Sequence, residues 1–77
     1  MTKSAKTLDV RGLLCPIPVA KSKRAIQQIG PGEVLEILST DPAAKQDIPA
    51  WVRRDGHELL ESKEDPQLFV FYVKRGA

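Results

Sequence analysis

No second cysteine accompanies Cys15 in this 77-residue sequence. An internal disulfide is therefore excluded, and so is a Cys-x-x-Cys dithiol cycle. Small secreted domains are commonly held by several bridges, so a single thiol points to a reducing compartment and a cytoplasmic protein. Charge of one sign is also missing: 12 basic residues face 10 acidic ones, for a net charge of +2. That balance gives no footprint for direct nucleic-acid binding. Aromatic residues make up 5% of the chain and are not interleaved with basic ones, so no base-stacking platform is visible. No apolar stretch is long enough for a membrane span, and residues 1–6 lack the apolar run of a signal peptide. There is no His/Cys cluster for a metal, no glycine-rich phosphate loop and no serine nucleophile motif. Neither a metal nor an organic cofactor is expected.

What is present reads as a flexible polar N-terminus over residues 1–5 and a single domain over residues 6–77. Thr7–Arg11 alternates polar and apolar residues as a half-exposed strand, and Gly12 ends it. A helix is predicted from Pro18 to Ile29, with Ile17 as N-cap and Val19, Ser22, Ala25, Ile26 and Ile29 on its buried face. Gly30-Pro31-Gly32 stops it, Gly30 suiting a C-cap. Glu33–Ser39 forms the second strand. Pro49 then interrupts a helical pattern, which predicts a short turn at 42–46 followed by a helix from Ile48 to Asp55 capped by Asp47. Ala44, Ile48, Trp51 and Val52 make its buried stripe, with Trp51 as core cover, and Gly56 closes it. Strands at 58–63 and 68–73 complete the chain, joined at Asp65-Pro66.

The element order is thus βαβαββ. A right-handed crossover makes the first two strands parallel, and a short turn makes the last two antiparallel. Charged strands suit sheet edges. The predicted fold is a two-layer α/β (α+β) sandwich, a four-stranded mixed sheet of order 1-2-4-3 with both helices on one face. Some of Val34, Leu38, Leu68, Phe69, Val70 and Phe71 must then point to the uncovered side, as an apolar partner surface.

Cys15 stands in Gly12-Leu13-Leu14-Cys15-Pro16-Ile17-Pro18, just ahead of the first helix. The partial positive charge of a helix N-terminus contributes about 0.3–1 kcal/mol, or about 2 when partly buried, enough to lower a thiol pKa by well under one unit to about one and a half. Pro16 and Pro18 remove two amide donors but make a rigid frame, leaving the amides of Ile17, Val19 and Ala20. Arg11 is a candidate cationic neighbour for the sulfur, or the partner of Asp9 on an edge strand. Parallel strands end on one edge of the sheet, where sites in open α/β folds lie, so Thr40 and Asp41 are expected near Cys15. Asp41 would oppose a thiolate and is expected to turn inward and cap its own helix. The sulfur should be at least partly exposed. His57, after Gly56, should lie at the opposite end of the sheet and take no part in chemistry at Cys15. Lys21, Lys23 and Arg24 form either a solvated helix face or a docking surface for an acidic partner.

Leu8-Asp9-Val10-Arg11-Gly12-Leu13-Leu14-Cys15-Pro16-Ile17-Pro18 resembles the signature of the TusA/SirA-like family of small sulfur carriers, whose hallmark is Cys-Pro-x-Pro. Pro31-Gly32-Glu33, Thr40-Asp41-Pro42, Asp47-Ile48-Pro49 and Gly56-His57-Glu58-Leu59 extend the resemblance to about residues 7–75. It implies the βαβαββ sandwich and a cysteine, here Cys15, that accepts sulfane sulfur as a persulfide and relays it to another protein. The implied partners are a cysteine desulfurase or other sulfane-sulfur donor and an acceptor sulfurtransferase; no independent turnover is expected. Carriers feeding transfer-RNA thiolation typically have glutamate between the prolines and arginine before the cysteine, where this chain has Ile17 and Leu14. The competing reading is a non-catalytic RNA- or protein-binding regulatory domain of the same fold, which should tolerate loss of the thiol.

Overall fold

Parallel pairing of the first two strands sets the frame. The computed structural model describes residues 3–76. It contains β1 (Lys6–Val10), α1 (Ile17–Ile26), β2 (Val34–Ser39), α2 (Ala44–Arg54), β3 (Glu58–Asp65) and β4 (Leu68–Lys74). The sheet order is β1-β2-β4-β3, with β1 parallel to β2 and the remaining neighbours antiparallel. This is the predicted mixed sheet. The expected loose segment 1–5 lies partly outside the described residues; within them, Ala5 N–H already donates to the Val34 carbonyl at 2.7 Å. No helix among the described residues is long and apolar enough to cross a membrane.

Strand alternation sorts the two faces. Val10, Leu35, Ile37, Phe69, Phe71 and Val73 meet Ala25, Ile26, Ile29, Ala44, Ile48, Trp51 and Val52 in one core. The stripe expected for α2 is buried as read, and Trp51 Nε1–H donates to Asp55 at 2.9 Å, satisfying its one polar atom. The far end of α2 closes as a Schellman turn: His57 N–H reaches the Val52 carbonyl at 2.9 Å, with Gly56 at φ +77°.

The helix boundaries differ from expectation, and the strand ends by one or two residues. Helix α1 begins at Ile17 with Pro16 at the cap position, because Ile17 N–H donates to the Leu14 carbonyl (3.0 Å) and closes a turn ahead of the helix. It ends at Ile26, and Gly32 rather than Gly30 takes the left-handed conformation (φ +84°). Most consequential, α2 runs unbroken from Ala44 through Pro49, and Asp47 is an internal residue rather than a cap. The buried stripe has members on both sides of Pro49, and their packing outweighs the one backbone bond that proline removes.

The uncovered face is not the bare apolar patch expected. Register places Val34, Leu38, Leu68 and Val70 there, while Phe69 and Phe71 turn to the helices. Among the apolar residues sits Glu36, accepting from Tyr72 Oη (2.7 Å) and Thr7 Oγ1 (2.8 Å), and Lys63 Nζ lies 5.7 Å from the Tyr72 ring centre. Val70 is only 9% exposed on this face. Tyr72 first, then Thr7, holds the Glu36 carboxyl below the ordinary glutamate range.

Two outcomes follow from this packing. Ile37→Ala, at a fully buried position, should cost about 2–5 kcal/mol in urea unfolding. Folding lowers the Glu36 pKa, so its stabilisation is complete above the unfolded value of about 4.3 and disappears as pH falls through the lower folded value. Glu36→Gln should therefore flatten the acid limb of the urea midpoint measured from neutral pH downwards.

Candidate functional site

The C-terminal ends of β1 and β2 meet at one sheet edge, and the loops leaving them build a site around Cys15. Gly12, at φ +79°, turns the chain out of β1; a side chain there would be strained. Its N–H donates to Thr40 Oγ1 at 2.8 Å, tying the β1 exit to the β2 exit. Asp41 is buried and bridges the two loops. Its Oδ2 accepts Cys15 N–H at 2.6 Å, and its Oδ1 accepts Ala43 N–H at 3.1 Å at the start of α2. Asp41 turns inward as expected but does not cap α2, whose N-cap is Ala43 with no side-chain cap bond; its carboxylate instead ties the local turn to the cysteine backbone. The Cys15–Pro16 peptide is cis.

Cys15 is exposed, as its position ahead of α1 predicts. Its electrostatic surroundings differ from expectation. The amides of Ile17 and Ala20 are directed to the carbonyls of Leu14 (3.0 Å) and Pro16 (3.1 Å) rather than to the sulfur. Arg11 folds onto Asp9 as a two-pronged pair, both contacts at 2.9 Å, and holds Asp9 at about 2. The cation foreseen for Cys15 is therefore engaged elsewhere. What reaches the sulfur is Asp47: Cys15 Sγ–H donates to Asp47 Oδ2. That hydrogen bond, then desolvation, then the charges of Asp47 and Asp41, push the thiol pKa up from its ordinary value. These surroundings favour the thiol over the thiolate.

Leu14 and Ile17 flank the sulfur in sequence and are 69% and 45% exposed, the two most exposed large hydrophobic side chains among the described residues. The basic residues of α1 divide. Lys21 and Arg24 join Lys6, Leu8 and Gln28 around a groove of about 400 Å³ beside the β1 edge. Lys23 lies on another groove with Asp55, His57 and Arg75. His57 is at the sheet end opposite Cys15, where Glu58 pairs with Lys74. Its Nδ1 accepts Gly76 N–H (2.9 Å) and its ring lies 5.5 Å from that of Trp51.

Sequence reasoning brought Cys15, Gly12, Thr40 and Asp41 together and missed Asp47, which it read as a cap. The signal in the sequence is Asp47-Ile48-Pro49, which belongs to the same resemblance as the cysteine motif.

A lone exposed thiol on this strand–turn–helix frame has clear relatives. The sequence matches the family described as "Sulfurtransferase TusA" over residues 6–75. The chain belongs to the TusA family. "Sulfur carrier protein TusA" of Allochromatium vinosum is 38% identical over 68 residues, covering 88% of this chain and 90% of that protein. "Putative sulfur carrier protein YrkI" of Bacillus subtilis (strain 168) is 39% identical over 74 residues, covering 96% and 99%. The crystal structure of a SirA-like protein from Desulfitobacterium hafniense superimposes with a TM-score of 0.79 at 24% identity, covering 94% of this chain and 99% of that one, a likeness of fold.

Within this TusA-family frame, His57 packs structure at the end of the sheet remote from the thiol. His57→Ala should lose some thermal stability, with its hydrogen bond and its contact with Trp51, yet leave Cys15 as reactive toward iodoacetamide as in wild type; intact-mass time courses on the folded variant check this.

Proposed function

We propose that this chain carries sulfane sulfur as a persulfide on Cys15 and relays it between proteins in a reducing, cytoplasmic setting. The observation that carries the reading is an exposed cysteine, the only one in the chain, presented from a rigid loop in a TusA-family domain. The Cys15 thiolate attacks the outer sulfur of a donor persulfide. A new S–S bond forms at Cys15, the donor's S–S bond breaks, and the donor cysteine leaves as thiolate and takes up a proton. An acceptor cysteine then attacks the outer sulfur and returns Cys15 to the thiol. With no second cysteine, no resolving thiol collapses the persulfide within the chain.

Transfer of this kind needs contact between proteins rather than an enclosed pocket, and the site is open. A cysteine desulfurase or comparable donor and an acceptor sulfurtransferase are the partners this chemistry requires. Lys21 and Arg24, with Lys6, offer such partners a basic surface beside α1.

Incubation with a cysteine desulfurase and cysteine, without reductant, should add one sulfur, about 32 mass units, which a thiol reductant removes. Cys15→Ser should keep its fold and gain no such mass. Wild-type protein that stays unmodified by several desulfurases and small persulfides, or a Cys15→Ser chain that restores function in cells lacking the protein, would overturn the reading in favour of a binding domain.

A further inference from the structure

The carrier chemistry needs a thiolate, yet Cys15 is surrounded by groups that oppose one. The charged groups nearest the sulfur come from the loop leaving β1, the β2–α2 connection and α2; Lys21 and Arg24 of α1 line the groove beside the β1 edge instead. On the β2–α2 connection, buried Asp41 holds Cys15 N–H. In the first turns of α2, half-buried Asp47 accepts a hydrogen bond from the thiol. On the loop leaving β1, Arg11 is paired with Asp9. Lys45, two residues before Asp47, is drawn away to Glu64 of β3. Two carboxylates therefore act on the thiol, and both cations from these segments are engaged by other acids. The apolar side chains of Leu14 and Ile17 flank this acidic spot and stand exposed.

We propose that Asp47 is a proton latch for Cys15, holding it as a neutral thiol in the free carrier, and that a donor opens the latch by placing a cation against the Asp41–Asp47 carboxylates as it docks. The inference rests on the carrier reading and names the donor's chemistry: a delivering persulfide flanked by lysine or arginine and set in an apolar rim that meets Leu14 and Ile17. Asp47 is a positioning residue. A cation paired with its carboxylate draws it from the sulfur and offsets the charge that disfavours a thiolate. The thiol proton passes to solvent, Cys15 attacks the outer sulfur, and the departing donor thiolate takes up a proton, so protons and electrons balance without an oxidant. Between donors the carrier stays protonated, and a thiol is far less nucleophilic than its anion.

The latch is read first without any sulfur donor. The rate of iodoacetamide alkylation of Cys15 against pH should have a lower midpoint in Asp47→Asn than in wild type, and alkylation at neutral pH should be several-fold faster. Circular dichroism verifies the fold, and Asp47→Ser serves if the asparagine variant is unfolded. The cation is read with two small donors, cysteamine persulfide, which carries an ammonium group, and glutathione persulfide, which carries net negative charge. Wild type should favour the cysteamine donor severalfold more than Asp47→Asn does, the ratio cancelling the donors' intrinsic difference. Equal alkylation midpoints, or a donor preference indifferent to Asp47, would overturn the latch while leaving the carrier intact. Failure of wild type to take sulfur from either small donor or from a desulfurase would instead overturn the carrier reading, and the alkylation profiles would still judge the role of Asp47.

Discussion

Parallel pairing of β1 with β2 is the constraint on which everything else here depends. It forces the chain through α1 and back across the sheet, and it brings the C-terminal ends of both strands to one edge. Gly12 and Thr40 are joined across that edge, and Asp41 binds both the cysteine backbone and the start of α2. The thiol is consequently placed by amides of its own loop that donate to the Thr40 and Asp41 side chains at the exit of β2. A sheet paired in any other order would leave Cys15 on a loop without these supports.

Much of this was legible in the residues. The β2 and β4 patterns are apolar on both faces and the β3 pattern is charged, which was enough to order the strands. The stripe of Ala44, Ile48, Trp51 and Val52 was read correctly because helical period depends on side chains and survives an internal proline. The boundary of α2 was misread for the complementary reason. Local propensity says that Pro49 breaks a helix, but the packing of Ala44 against the core keeps the preceding turn helical. That one misreading concealed Asp47, since a capping aspartate turns to its own backbone while a helical one is free to reach the loop of Cys15.

Electrostatics was the least legible layer. The motif suggests an activated sulfur, because helix amides lie just beyond it, yet two of those amides are directed to local carbonyls and carboxylates arrive from the other side of the site. Helix dipoles act within a turn and contribute under about 1 kcal/mol at exposed positions, so a single well-placed acid outweighs them. Which acid stands near a cysteine is a tertiary fact, and the pairing of Arg11 with Asp9 shows how readily a nearby cation is claimed by a closer partner.

The separation in sequence between Cys15 and Asp47 has a consequence for the life of the chain before it folds. Donor and acceptor of that bond are separated by 32 positions in sequence, whereas the β3–β4 hairpin closes through a two-residue turn. Hairpins of this kind form locally, while closing the β1–α1–β2 crossover carries the larger loop entropy. A nascent or transiently opened chain therefore presents a sulfur with ordinary acidity and no carboxylate on its proton. Protection of the thiol is a property of the completed topology, so conditions that loosen the crossover expose the chain to oxidation at the very residue on which its use depends.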